Sequence, residues 1–264
     1  MGVAQRATGR LDGAFRNLGI TIAAALSVRQ IINFSRTAVK AFGDIEQSLA
    51  KASTLFGNAA VDTQNLYDQT IALSSATGLA ADEIGQSLYQ ALSAGVNVTE
   101  DMAIAMEFLE STSKLARAGF TDMSTAVEAT AKTLNAYRME IEEADKIHRI
   151  LMQTQNRGIT TVDELGGYMA QVTPIAAAFG VSFENVGASL ATMTAQGIRT
   201  RIAVTQLRSL LAELGQEGTD GSEALLKAAR AAGEAQLSFT DMMQSGRSLG
   251  EVLDLMRQYA DESN

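Results

Sequence analysis

Apolar residues recur at every third and fourth position over most of this chain. Between 162 and 179, Val162, Leu165, Met169, Val172, Ala176 and Phe179 keep a strict 3-4 spacing, which places them on one stripe of a 3.6-residue helix. The same period predicts helices over 61–77 (Leu66, Thr70, Leu73, Thr77), 81–94 (Ile84, Leu88, Ala91, Leu92), 100–118 (Met102, Ala105, Met106, Leu109, Ala116), 122–137 (Met123, Val127, Thr130, Leu134) and 141–157 (Ile147, Ile150, Leu151). It continues over 183–196 (Phe183, Val186, Leu190, Met193) and 201–215 (Val204, Leu207, Leu211, Leu214), with two further helices at 223–233 and 238–259. Ahead of these, residues 31–56 repeat in sevens. Ile31, Ala38, Ile45 and Ala52 fall at one position of the heptad, and Ser35, Phe42, Leu49 and Phe56 at the other. That seam suits either a coiled coil or a helix packed on its own domain. Period-2 runs are missing, so no sheet is expected. The fold class is all-α: an irregular array of about ten short helices behind one long N-terminal helix.

The helices are punctuated by glycine. Gly78, Gly95, Gly119, Gly158, Gly180 and Gly197 each end one periodic stretch, and each is followed by a bulky apolar residue. This is the sequence form of a Schellman stop, with glycine in the left-handed position and the next residue folding back on the last turn. Thr99, Thr121 and Ser182 stand where N-cap hydroxyls are wanted, Thr161 to Glu164 has the capping-box form, and Ser238-Phe239-Thr240-Asp241 caps the last helix. Pro174 lies inside the cleanest stripe and predicts a bend there. Residues 214–222, with three glycines among polar companions, read as a flexible linker. Three segments follow: a basic arm and long helix (1–57), a helical core (58–215), and a linker with C-terminal helices (216–264). Helix-corner-helix units recur about every 20 residues, without shared side chains that would mark an exact repeat.

Composition narrows the chemistry. There is no cysteine and only one histidine among 264 residues, which excludes thiolate and multi-histidine metal sites within one chain. His148 has Asp145 one turn away but no nucleophile in sequence, so a partly exposed helical histidine is expected. The acidic groups Asp82-Glu83, Glu100-Asp101 and Glu140 to Asp145 sit in first turns, where they complement the helix dipole. Gly166-Gly167 lacks the lysine of a phosphate loop and reads as a close helix contact. Arg199 and Arg201 mark an exposed basic corner. No catalytic, cofactor-binding or metal-ligating constellation emerges. The net charge of −9 divides into +5 over residues 1–40 and −14 over the remainder, and an acidic body does not suit sequence-specific nucleic-acid binding. Leu18–Leu26 is the most apolar short run, too short to span a bilayer but flanked by Arg16 and Arg29 and able to contact a membrane surface.

The order of these segments resembles the core region of the tape measure proteins of long-tailed bacteriophages. The resemblance runs from about Phe42 to Leu214. It is carried by ALSSATG at 72–78, QALSAG at 90–95, KLARAGF at 114–120, ATAKTLNAY at 129–137, Glu164 to Val181, ATMTAQGI at 191–198 and LRSLLAEL at 207–214. Two positions depart from the family pattern: Tyr137-Arg138-Met139 replaces a glycine corner, and Val204-Thr205 replaces Gly-Thr. The resemblance implies a virion structural protein in the phage tail, present in the host cytoplasm during assembly. It would act in tail assembly and length determination and leave during genome ejection. The implied partners are itself, as a homo-oligomer and by resemblance a trimer, with the tail tube and the tail tip or baseplate. The heptad seam Ile31, Ala38, Phe42, Ile45, Leu49, Ala52 and Phe56 would supply the oligomer contact. A fully helical chain of this length would span roughly 400 Å, so the resemblance favours one portion of a longer ruler. The alternatives are a membrane-active helical protein or a helical cell-wall hydrolase.

Overall fold

The structure, a computed structural model, describes residues 28–56, 62–95, 102–233 and 237–262. These form α1 (Val28–Ser53), α2 (Thr63–Thr77), α3 (Ala81–Ser93), α4 (Met102–Gly119), α5 (Met123–Tyr137), a 3-10 turn (Ile141–Glu143), α6 (Ala144–Arg157), α7 (Val162–Met169) and α8 (Thr173–Ala178). The remaining helices are α9 (Phe183–Ala195), α10 (Thr200–Gly215), α11 (Asp220–Ala231), α12 (Phe239–Gln244) and α13 (Leu249–Glu262). There is no strand among the described residues. The chain divides into two units between Gln47 and Ser48, within α1.

In the second unit the corners have a regularity that the consecutive stops do not display. Taken alternately, Gly78, Gly119, Gly158 and Gly197 are separated by 41, 39 and 39 residues. Contacts between elements repeat at the same interval. Ser111 of α4 meets His148 of α6 at a separation of 37, Thr160 meets Thr200 at 40, and the Asn135 amide meets the Ala94 carbonyl at 41. The chain is therefore a stack of four αα-hairpins: α2/α3, α4/α5, α6 with the broken α7–α8, and α9/α10. The first helices form one layer (α2, α4, α6, α9) and the returning helices a second (α3, α5, α7–α8, α10). Each hairpin packs on its neighbours, as in a solenoid. α11 packs on α10 and α13, so the last helices continue the same unit.

Burial follows the stripes. Val162, Leu165, Met169, Val172 and Ala176 are each 2% exposed or less. α5 touches α3, α4, α6, α7 and α8 and is buried on most of its circumference. Its sides are Ala126, Ala129, Thr130, Ala131 and Thr133, small enough to let neighbours approach. Buried threonines are a general device here. Thr70, Thr77, Thr130, Thr133, Thr154, Thr173 and Thr194 each donate to the carbonyl four residues back at 2.6–2.8 Å. The hydroxyl is satisfied inside its own helix, and the methyl remains for packing.

Four expectations are corrected. The single helix over 162–179 is broken, not bent: α7 ends at Met169 and Pro174 occupies the first turn of α8. Proline has no N–H to donate and its ring would strike the carbonyl four residues back. The break is closed by tight bonds from the Gln171 and Val172 amides to the Tyr168 and Met169 carbonyls. Residues 216–219 are a fastened corner, not a flexible linker. Thr219 Oγ1 bonds the Gln216 carbonyl at 2.9 Å and accepts from the Ser222 amide at 3.2 Å, while Glu213 accepts from the Gly221 amide at 3.0 Å. The helix over 238–259 is two helices, separated at Gly246 (φ +92°) and restarted by Ser248 with Glu251. Thr121 donates to Asp163 and does not cap, Asp122 being the N-cap residue of α5.

Candidate functional site

The corners bring the sequence-predicted glycines into two edges. Gly78, Gly119, Gly158 and Gly197 share one edge, where each corner touches the next. The Arg117 guanidinium donates to the Thr77 carbonyl, Thr121 Oγ1 donates to Asp163 at 2.8 Å, and Thr200 Oγ1 donates to Glu164 at 2.5 Å and lies 2.8 Å from Thr160 Oγ1. Gly95, Arg138 and Gly180 lie on the other, where the Asn135 amide bonds the Ala94 carbonyl and the half-buried Tyr137 hydroxyl bonds the Val181 carbonyl at 2.8 Å. Burial, and secondarily the Glu184 charge, raises the Tyr137 phenol well above its ordinary pKa, so the hydroxyl stays a neutral donor.

The glycines are not equivalent. Gly78, Gly95, Gly180 and Gly197 have φ between +74° and +89°, and Val181 and Ile198 donate to the carbonyls of Ala176 and Met193 in the Schellman manner. Gly119 and Gly158 do not take the left-handed conformation. They are places of close approach: a Cβ on Gly119 would lie 2.7 Å from Val162, and one on Gly158 would lie 2.3 Å from Thr194 Oγ1. At the third corner the left-handed residue is Phe120 itself (φ +53°), which is 89% exposed. Arg138 (φ +53°) takes the same conformation.

The heptad seam is divided. Ile45, Leu49, Ala52 and Phe56 are buried, while Phe42 is 40% exposed. Leu49 and Ser48 lie against Gly85 of α3. The side chains of Ile31 and Ala38 lie outside the described residues, as do Leu18–Leu26, Gly57, Thr99, Glu100 and Asp101. No helix among the described residues is long and apolar enough to cross a membrane.

His148 is buried, 8% exposed, rather than partly exposed as its helix position suggested. It joins three helices. Thr130 Oγ1 is 3.1 Å from Nε2 and already donates to the Ala126 carbonyl, so it accepts from an Nε2–H. Ser111 Oγ is 3.0 Å from the unprotonated Nδ1, which competes with the Asp145 carboxylate for the one serine proton. The serine and the carboxylate therefore meet the same ring nitrogen, and the other is closed off by Thr130. A catalytic triad needs the carboxylate and the nucleophile on opposite nitrogens, and this arrangement cannot relay a proton between them. Burial, opposed by the Asp145 charge, lowers the His148 pKa to about 4, so the ring is a neutral clamp. Sequence reasoning missed Ser111, which lies 37 residues away and becomes a neighbour only through the repeat. Beside the clamp is a cavity of about 110 Å³ lined by Ile104, Glu107, Phe108, Ser111, Ile141, Glu142, Ala144 and Asp145. No group of three potential metal ligands occurs among the described residues.

Gly166 lies where α7 crosses α5, a Cβ there meeting Thr125 Cγ2 at 2.7 Å, whereas Gly167 faces open space. Arg199 and Arg201 are exposed at the edge of the Gly197 corner. The whole defines a helical scaffold whose polar side chains fasten helices and whose exposed edges are available for contacts.

A family model described as "Phage-related minor tail protein" matches residues 67–263. The chain belongs to that family of phage tail proteins. It is similar to the "Probable tape measure protein" of Clostridium phage phiCD119, 51% identical over 220 residues, which are 83% of this chain and 23% of that protein. It is also similar to the "Tape measure protein" of Pneumococcus phage Dp-1, 24% identical over 207 residues, 78% of this chain and 18% of that protein. The chain thus spans less than a quarter of the length of these curated relatives. No solved structure matches it.

Proposed function

We propose that this chain is a folded module of a tape measure protein, acting in tail assembly while length is measured by straight helix elsewhere in the protein. The carrying observation is the 51% identity to a relative of that name over a segment that is only 23% of the relative. The fold agrees with the division of labour. Residues 63–215 turn back at every corner, so their length along any tube is far below the 1.5 Å per residue of a ruler helix. In this reading residues 58–215 form the tape-measure core, 1–57 the arm that carries self-association, and 216–264 its C-terminal continuation. The module docks on the tail tip or baseplate and is carried out with the rest during ejection.

The test is deletion of residues 62–262 from the complete tail gene, followed by electron microscopy of the particles. Loss of tails, or tails of uncontrolled length, is the expected result. Normal tails shortened by roughly 300 Å, the length of 200 residues of straight helix, would show that the segment measures length directly.

A further inference from the structure

Among the described residues, three buried side-chain atoms have no hydrogen-bond partner in the protein: Ser87 Oγ and Gln90 Oε1 on α3, and Thr112 Oγ1 on α4. Ser87 and Thr112 are fully buried. The other buried threonines are bonded, most of them to the carbonyl one turn back. A buried hydroxyl without a partner gives up its water and gains nothing in exchange, so it weakens the closed state. These groups are not scattered over the stack. They fall on two helices that meet where the first hairpin, α2/α3, packs on the second, α4/α5.

This joint is also the less fastened of the two that the second hairpin makes. Against the first hairpin it packs through α2–α4, α3–α4 and α3–α5. Against the third it packs through α4–α6, α4–α7, α5–α6, α5–α7 and α5–α8, with α5 lying on both halves of the broken helix. The polar ties differ in position as well. On the side of the third hairpin, buried His148 reaches both Ser111 of α4 and Thr130 of α5. On the side of the first, helix ends are joined: Arg117 to the Thr77 carbonyl, Asn135 to the Ala94 carbonyl, and the Met123 amide to Glu83 at 3.3 Å. Groups in first and last turns are the ones that water satisfies when a partner leaves. The end of α1 belongs to the same hairpin, since a Cβ on Gly85 of α3 would lie 2.3 Å from Ser48 Oγ.

We propose that the first hairpin is a lid. α2 and α3 swing away from α4 and α5 as one unit, with the end of α1 carried on α3, while the second, third and fourth hairpins stay stacked. Opening here gives water to Ser87, Gln90 and Thr112. Opening at a later joint would break the His148 clamp or the bond from Thr200 to Glu164. The lid is thus a sub-global opening with a fixed place in the fold, and it uncovers the faces of α4 and α5 on which the hairpin rests.

Native-state hydrogen exchange on the full chain reads this opening directly. Expected is one shared rate across α2 and α3, about 100-fold or more above that of α5 and α6. Thr112→Val replaces the unpartnered hydroxyl by a methyl of the same shape, which strengthens the closed joint. It should slow exchange in α2 and α3 by about tenfold and leave α9 and α10 unchanged. Thr112 lies outside the hairpin whose exchange is read, so a local gain in helix stability cannot imitate the effect. Ser87→Ala should act in the same direction. Equal protection of α2–α3 and α5–α6 in the parent chain would overturn the proposal. So would separate rates in α2 and α3, which mark fraying in place of a lid, or exchange of both helices that Thr112→Val leaves unaltered or quickens.

Discussion

His148 shows how one side chain can tie stability to pH without serving chemistry. Its folded pKa of about 4 lies below the 6.5 of an exposed imidazole. Between those values the unfolded chain holds a proton that the native chain does not. The contribution of the neutral clamp is therefore complete above about pH 6.5 and is lost as pH falls toward 4. At about 1.4 kcal/mol per pKa unit, the loss is roughly 3 kcal/mol. Denaturant unfolding of the parent and of His148→Gln across pH 4–7 should give a difference that grows with pH over that window. A flat difference would mean that the imidazole is not neutralised by burial. Gly166 and Gly167 are a second residue-scale test. Gly166→Ala forces a methyl to within 2.7 Å of Thr125 and should cost about 1–3 kcal/mol. Gly167→Ala enters open space within a helix and should stabilise by up to about 1 kcal/mol. Thermal melts of the two variants should move in opposite directions. The sequence marks this pair only as two glycines in a helix. Which of them faces α5 follows from the crossing, which no periodicity reports.

Helices were legible because one face of each is buried at a 3.6-residue period and most ends carry a chemical mark. Ser182 and Ser238 cap as their positions suggest, accepting from the Asn185 and Asp241 amides at 3.2 Å. The errors fall where a stripe runs on through a break. Val172 and Ala176 stay in register across the gap between α7 and α8, so the hydrophobic pattern hides the interruption that Pro174 enforces. The 216–219 corner misled in the opposite sense. Glycine and polar residues suggest freedom, yet they are also what a tight, hydrogen-bonded turn needs. Thr219→Ala tests this. It removes the cap of α11 and the tie to the Gln216 carbonyl, and should lower stability by about 1–2 kcal/mol. Amide exchange at 220–223 should quicken with it. No change in either would restore the linker.

At the scale of the molecule, the sequence hid the repeat because its period is two helices, and equivalent positions carry different side chains. Ser111 answers to His148, Thr160 to Thr200, and Ala94 to Asn135; each is a contact between repeats, and only the threonine pair is an identity. Only the alternate glycines keep the interval, and two of them do so for packing and not for backbone conformation. The stack has a mechanical consequence. In a solenoid each unit touches only its neighbours, so a local loss should decay along the chain. Leu66 in α2 is fully buried, and Leu66→Ala should cost about 2–5 kcal/mol locally. Native-state hydrogen exchange should then show the largest loss of protection in α2 and α3, a smaller one in α4 and α5, and little in α9 and α10. Uniform loss from α2 through α10 would mean one cooperative core, and the hairpins would be a matter of connectivity alone. A graded loss would let the end hairpins loosen while the central ones, which carry Phe120 and Ile159, keep their shape.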